Sequence, residues 1–247
     1  MNSKNLQEKI SLSFIRYKSK ILLFKSLKAI HNLLYNIGID VRLRKKEASF
    51  NAIEHNSIEE VNKYYSSVDK QFEITSPEHQ RFFLEIITII ENKGISLMNK
   101  SIADFGCGIG NLLSHLNSHF KPATCYGFDF SDILLKLAVK RFPEGEFTQH
   151  DIYLKPGKTF DFIFCTEVLE HLLYPEKALD NILSTVRHRG GGAFISVPDG
   201  RKDSFAGHIN FWSPESWEVF IRKAVGENVT THTGYVTSNN LYAMILF

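Results

Sequence analysis

The sequence predicts an α/β fold: a mainly parallel sheet with right-handed crossovers and helices on both faces. Three observations predict it. From residue 100 onward, short apolar runs alternate with segments of helical period. The first run, Ser101–Phe105, passes directly into three glycines at alternate positions, Gly106, Gly108 and Gly110, and then into a helix. Successive runs also end in acids, Asp104, Asp129 and Asp151. In an open parallel sheet all strand carboxyl ends face one crevice, so these acids share a ligand site.

The chain has 247 residues, 43% hydrophobic and 23% charged, the proportions of a globular protein with one sizeable core. Cys107, Cys125 and Cys165 are far apart and form neither a disulfide framework nor a metal pattern, which suits a reducing, cytoplasmic setting. No apolar run reaches the roughly 18–20 residues of a membrane-spanning helix. The polar start, Met1–Ile10, has no secretory pattern. Charge is unevenly spread. Of 29 Lys/Arg and 27 Asp/Glu, residues 1–46 hold 11 and 2, leaving 18 and 25 for the remainder.

The elements follow in order. Residues 10–39 carry Leu, Ile and Phe at helical spacing with lysines between, and the cluster Arg42–Lys46 follows. This basic segment, 10–46, reads either as a surface helix for an anionic membrane or as a lobe packed on the main domain or a second copy in a homodimer. No RNA- or DNA-binding module accompanies it, which argues against nucleic acid. Residues 57–75 start helically, with Ser57 and Glu60 at capping-box spacing. The expected division is therefore a basic helical extension or lid, 1–75, and a catalytic domain, 76–247.

Within that domain, Ser76-Pro77-Glu78 opens a helix that Gly94 stops; the serine, proline and acid suit an N-cap, a first position and a helix dipole in turn. A helix is expected at about 110–119, then a strand Thr124–Phe128 closed by Asp129. Ser131 caps a helix of about 132–141. Strands are expected at Glu146–His150 and Phe160–Cys165, with the polar segment Thr166–His171 after the second. Pro175 opens a helix to about Arg187, and Gly190–Gly192 leads into a strand Ala193–Val197. Ser213-Pro214-Glu215 repeats the helix-start pattern. Two final runs, about 228–236 and 241–247, are close enough to form an antiparallel pair.

A glycine turn feeding a helix presents unpaired N–H groups and admits a ligand close to the backbone. A dinucleotide fingerprint requires Gly-x-Gly-x-x-Gly. Here the glycines fall at 106, 108 and 110, and Asn111 holds the place of the third. That spacing argues against the rival reading, a dinucleotide-dependent oxidoreductase or epimerase. Asp129 can accept from both hydroxyls of a ribose, and Asp151 from an exocyclic amine. An acidic surround suits a ligand with sulfonium and ammonium charges and no pyrophosphate, which describes S-adenosyl-L-methionine.

The motifs, taken together, resemble those of the class I S-adenosylmethionine-dependent methyltransferases. Asp104-x-Gly106-x-Gly108-x-Gly110 is similar to the family's first motif, Tyr126–Ser131 to its second and His150-Asp151-Ile152 to its third. Phe160–Leu172 resembles the segment after strand four, and Gly190–Pro198 the strand-five motif. The run Glu167-Val-Leu-Glu-His-Leu172 and the segment Gly207–Trp217 are most similar to the subgroup of ubiquinone-pathway O-methyltransferases and related small-molecule and sugar methyltransferases. The resemblance covers 100–247, not 1–75. It implies a seven-stranded sheet with the last strand antiparallel. It also implies a cofactor site of Asp104, Gly106, Cys107, Gly108, Gly110, Asp129, Phe130, Asp151, Ile152, Thr166 and Glu167. The expected catalytic groups are His171, His208 and Glu170, beside a small-molecule or glycan acceptor. Histidine is the usual base for a hydroxyl acceptor, since it titrates near neutrality. No His/Cys/Asp set has metal-ligand spacing, so no metal is expected. A non-catalytic cofactor-binding protein is the remaining alternative, because fold alone does not establish activity.

Overall fold

The computed structural model describes residues 57–65, 76–187, 190–205 and 207–247. The basic segment 10–46, and the expected extension apart from 57–65, lie outside the described residues. Among the described residues, no helix is long and apolar enough to cross a membrane.

Helix α1 spans Ile58–Tyr65 and helix α2 Pro77–Asn92. α2 starts as its sequence predicts: the Ser76 hydroxyl accepts from the His79 N–H, and proline fills the first turn, where no amide hydrogen is needed. Phe82, Phe83, Ile86, Ile87 and Ile90 form its buried stripe.

Seven strands then build one sheet: β1 (Ser101–Phe105), β2 (Thr124–Asp129), β3 (Glu146–Gln149), β4 (Phe162–Thr166), β5 (Gly192–Pro198), β6 (Thr230–Thr237) and β7 (Asn240–Leu246). Their spatial order is β3-β2-β1-β4-β5-β7-β6. β1 to β5 pair in parallel, and β7 runs antiparallel to both β5 and β6. The expected seven-stranded architecture is thus present. β1, β4 and β5 are buried almost throughout because helices cover both faces.

Alternation along the strands divides the core in two. Ile102, Phe162, Phe164, Phe194 and Met244 pack with α2 and α3 (Asn111–Phe120). Ala103, Phe105, Ile163, Cys165 and Ile195 pack with α5 (Pro175–Leu183) and α6 (Pro214–Val225). Helix α4 (Asp132–Arg141) lies between β2 and β3 in the chain. Each large apolar side chain buried in this way contributes about 1.5–3 kcal/mol.

The boundaries differ from expectation in one connected region. β4 starts at Phe162, not Phe160, and α5 ends at Leu183, not near Arg187. The hydroxyls of Ser184 and Thr185 turn back onto the carbonyls of Asn181 and Ile182, offering the backbone an alternative to helix. The released chain pairs with Phe160: its N–H donates to Thr185 O, and its carbonyl accepts from Arg187 N–H. Phe160 is therefore a bridge residue beside Val186 rather than part of the strand.

The strand order reverses direction between β1 and β4. Helices leaving these neighbours cross opposite faces, and a crevice opens above their carboxyl ends. Asp104 and Thr166 stand at that point.

Candidate active site

The crevice is about 1810 Å³, well beyond the roughly 300–1,000 Å³ of a pocket for one ligand. It has two differently built ends.

The first end surrounds the glycine turn. Gly106 and Cys107 N–H both donate to Phe128 O, at 2.7 and 3.0 Å, which folds the turn onto β2. Gly106 has φ +78°, and a Cβ there would lie 2.3 Å from Val168 Cγ2, so only glycine fits. Gly108 has φ +53° but faces open space, with nothing within 4 Å of a Cβ position. Gly110, also in the left-handed region, precedes the first residue of α3.

Asp129 ties this turn to α4. Its Oδ2 accepts from Gly108 N–H and its Oδ1 from Ser131 N–H, both at 2.9 Å. The Ser131 hydroxyl in turn caps α4 through Leu134 N–H and donates to Asn62 Oδ1, while Asn62 Nδ2 donates to Asp132 Oδ1. α1 is thereby fastened beside the turn. Burial raises the Asp129 carboxyl, and three backbone N–H donors offset part of that.

Asp104 is 2% exposed, and its Oδ1 has no hydrogen-bond partner. Burial, and then the charge of Asp129, push its carboxyl to about 8. Cys107 is buried, and burial with the two nearby acids raises its thiol well above the usual range.

The remaining expected cofactor residues all line the crevice. Phe130 is 37% exposed, so it is not a core side chain. Asp151 is exposed and accepts from Tyr153 N–H in a local turn. Ile152 packs on the edge of the core. Thr166 ends β4. Glu167 follows with φ +56°, uncommon for a residue with a side chain. Its carboxylate is turned toward β5 and β7, where Ser196 Oγ and Asn240 Nδ2 donate to it at 2.9 and 2.7 Å. Burial raises it to about 7.

The second end is built by the 3₁₀ turn Leu169–His171 and the loop 203–210. Ile209 and Asn210 N–H donate to Glu170 O, and Asn210 Nδ2 donates to the carbonyls of Leu169 and Leu172. Clamped in this way, the loop sets His208 against His171, with ring centroids 4.6 Å apart. The Asp203 carboxylate lies 2.5 Å from His208 Nδ1, and Gly207 O lies 3.1 Å from His171 Nδ1. Both partners only accept, so each Nδ1 carries the proton and each lone pair is on Nε2. Burial, and then His208, lower His171 to about 4.

Glu170 faces both Nε2 atoms at 3.9 Å. It is 1% exposed, and neither carboxylate oxygen has a hydrogen-bond partner. Burial, and then the Glu167 charge, push it well above the usual carboxylate range. The three expected catalytic groups are thus brought together. Their ligand atoms all lie within 4.8 Å of one another, as a metal-binding group would have them, although their spacing in the chain gives no metal pattern. Sequence reasoning missed Asp203, Asn210 and Asn62. Only Asp203 carried a local signal, an Asx turn in which its Oδ1 accepts from Phe205 N–H.

Comparison with known proteins agrees with this architecture. Residues 78–230 match a family model described as a methyltransferase domain. A trans-aconitate 2-methyltransferase of Paracidovorax citrulli is 30% identical over 105 residues, 41% of this chain and 40% of that protein. A ubiquinone biosynthesis O-methyltransferase of Coxiella burnetii is 31% identical over 109 residues, 42% and 45% of the two chains. The chain therefore spans less than half the length of the curated relatives it matches. Among solved structures, magnesium protoporphyrin IX methyltransferase from Synechocystis with bound S-adenosylmethionine superposes with TM-score 0.60 at 18% identity, over 81% of this chain and 99% of that one. The DhpI complex with S-adenosylhomocysteine also gives 0.60 at 18% identity, over 77% and 97%. At such identity these two likenesses concern the fold. The family match covers more than half of the chain, which belongs to the class I S-adenosylmethionine-dependent methyltransferases.

Proposed function

We propose that this protein transfers a methyl group from S-adenosylmethionine to an oxygen of a small-molecule, sugar or lipid-linked acceptor. The observation that carries the reading is the joining, in one crevice, of the glycine turn with its two buried acids and the Glu170–His171–His208 cluster.

The residues fit the cofactor. Gly108 leaves its side of the turn open where a Cβ would project. Asp104 Oδ1 is a buried acceptor without a donor, matched by an ammonium group. Backbone N–H groups hold both Asp129 oxygens, and the acceptor capacity they leave would serve a ribose hydroxyl. Phe130, Asp151 and Ile152 would hold the adenine. Cys107, Gly106 and Gly110 would shape the cradle, and Thr166 and the Glu167 backbone would border the methyl end. When bound, S-adenosylmethionine supplies an activated methyl group, which an acceptor oxygen takes in-line as the sulfur–carbon bond breaks and sulfur keeps the electron pair.

The chain's own contribution is position and electrostatics. Holding two reactants in near-attack geometry supplies roughly 7–11 kcal/mol of barrier reduction. The acceptor hydroxyl belongs at the cluster, where His171 and His208 direct Nε2 lone pairs into the crevice end and can take up or displace its proton.

The reading is tested by incubating the full chain with S-adenosylmethionine and a panel of phenolic, sugar and lipid-linked alcohols, with mass spectrometry of both products. The expected result is equimolar S-adenosylhomocysteine and methyl ether. Methylation at nitrogen or carbon would overturn the oxygen assignment. Binding of S-adenosylmethionine without turnover on any class would favour the non-catalytic alternative.

A further inference from the structure

We propose that the β6–β7 hairpin is a sugar subsite, in which the Tyr235 ring seats one face of a neutral pyranose and Ser238 and Asn239 bind its hydroxyls. This names the acceptor class of the methyl-transfer reading, and it rests on that reading only for what then happens to the bound sugar.

The crevice, about 1810 Å³, exceeds a pocket for one ligand. The hairpin supplies a wall of it that belongs neither to the glycine turn nor to the histidine cluster: Tyr235, Thr237, Ser238 and Asn239 all line it. β6 is an edge strand, and its register with β7 shifts between Tyr235 and Thr237. A bulge of this kind bends a strand and re-aims its side chains. Val236 is buried in the core on the α2 side, whereas Tyr235 is left 42% exposed at the crevice.

Tyr235 is held in place by its hydroxyl, which donates to Asp199 Oδ2 at 3.0 Å and accepts from Arg201 Nη2 at 2.7 Å. Asp199 is itself fully buried. With the hydroxyl engaged on both sides, what the residue offers a ligand is a fixed aromatic ring. A pyranose has a face of C–H groups and a rim of hydroxyls, so its apolar side can cover such a ring while the rim stays free for polar contacts.

The turn beyond Tyr235 is pinned through its backbone. Asp199 N–H donates to Asn239 O at 2.8 Å, Lys202 Nζ donates to Ser238 O, and Asn239 N–H donates to Thr237 Oγ1 at 3.2 Å. Asn240 Nδ2 ties the turn to Glu167 at 2.7 Å, just before the 3₁₀ turn. The side chains at the tip are spared. Ser238 and Asn239 are exposed, and the Ser238 hydroxyl donates to Asn239 Oδ1 at a long 3.3 Å. The Asn239 amide keeps two N–H donors and the Ser238 hydroxyl its lone pairs, a set that suits sugar hydroxyls. A fixed backbone carrying such groups binds with little further ordering. The loop pinned here at Asp199 carries His208 further on, so hairpin and histidines form one wall.

Charge favours a neutral sugar. Arg201 and Lys202 both pair with Asp199, and neither lines the crevice. Among the described residues, Lys63 and Arg81 are the two basic side chains of that type that do, against seven Asp and Glu. That excess of acids disfavours a phosphorylated or carboxylated sugar.

The test uses the full chain saturated with S-adenosylhomocysteine, so binding is read without turnover. Methyl pyranosides of glucose, galactose, mannose and rhamnose, with their disaccharides, are compared with glucuronate and catechol by saturation-transfer NMR and calorimetry. The expected result is binding of a neutral sugar, with transfer strongest to the C–H protons of one ring face. Tyr235→Ala should weaken it about 10-fold and Asn239→Ala about 3- to 10-fold, with the affinity for S-adenosylhomocysteine unchanged. Tyr235→Phe keeps the ring and should stay within about threefold of the parent. Equal losses in Tyr235→Phe and Tyr235→Ala would make the ring a brace and overturn its role as a platform. Asn239 sits on an exposed turn, so its variant remains informative if Tyr235→Ala fails to fold. No neutral sugar bound, tighter binding of glucuronate or catechol, or sugar binding indifferent to Asn239→Ala would overturn the proposal. A sugar that binds through the hairpin but gains no methyl group from S-adenosylmethionine would overturn the methyl-transfer reading alone.

Discussion

The two ends of the crevice recognise their ligands by different means. At the glycine turn, backbone N–H groups, positive φ angles and two buried acids come from adjacent pieces of β1 and β2. At the other end, side chains from residues 167–171 meet side chains from 203–210, and each is oriented by another side chain or carbonyl. A site built from backbone groups and two fixed acids leaves few side chains to vary, which suits a ligand common to a whole family. A side-chain-built site on loops is readily re-specified, which suits a variable acceptor. The difference predicts that lesions at one end are read in cofactor binding and lesions at the other in turnover.

The largest effect is expected from Asp129→Ala. Ribose hydroxyls left without an acceptor cost about 2–3 kcal/mol, a loss of cofactor affinity on the order of 100-fold. Calorimetry with S-adenosylhomocysteine measures it. Gly108 and Ser131 N–H lose their acceptor as well, so the melting temperature falls while the fold persists. An affinity within about twofold of the parent would break the comparison, since the backbone alone would then suffice.

Asp203→Asn tests the opposite end. Removing the charge that holds the His208 Nδ1 proton should lower turnover about 10- to 100-fold, the range for groups that orient a ligand or base. Cofactor affinity should stay unchanged. NMR of the His208 ring nitrogens should show loss of the single Nδ1–H tautomer, a change that mere loosening of the loop would not produce. A parallel loss of cofactor binding would mean that the two ends are not separable.

The same contrast explains what was legible in the sequence. The glycine turn, the strand-end acids and the caps of α2, α4 and α6 are local, and each falls where spacing and residue type predict. The strand-four and helix-five boundaries were displaced by Ser184 and Thr185, whose hydroxyls compete with the helix only once the chain can pair with Phe160. The Glu170–His171–His208 group was legible as residues but not as a cluster. His208 reaches it through the hydrogen bonds of Asn210, a contact across the chain that no period or spacing encodes. The direction of the Glu167 carboxylate, away from the turn, was likewise hidden, because it follows from a positive φ at a residue type that seldom adopts one.

A pH titration gives a smaller effect at the cofactor end. Asp104 is raised to about 8 in the folded chain from the ordinary aspartate value of 3.8. Between those values the folded state holds a proton that the unfolded state has released, so stability falls as pH rises through the window and levels above about 8. Asp104→Asn should flatten that slope in urea unfolding of the cofactor-free chain. A cationic ligand group favours the ionised carboxylate, so S-adenosylmethionine should flatten it too. A slope unchanged by both would show that Asp104 is ionised in the free protein.

The smallest expected effect is that of Asn62→Ala, and it probes what joins the turn to α1. Asn62 bridges the Ser131 hydroxyl and the Asp132 carboxylate, one step from the Asp129 contacts. Asp132 still pairs with Lys136, Ser131 still accepts from Leu134 N–H, and the Ser131 O–H that donated to Asn62 turns to water entering where the half-buried amide stood. The loss is then that of ordinary hydrogen bonds, about 0.5–1.5 kcal/mol. If α1 covers bound cofactor, that energy appears in the cofactor off-rate, as an increase of about 2- to 10-fold in stopped-flow displacement, with the on-rate nearly unchanged. If it appears only in the melting temperature, α1 is a brace for α4, and the cofactor end is complete without it.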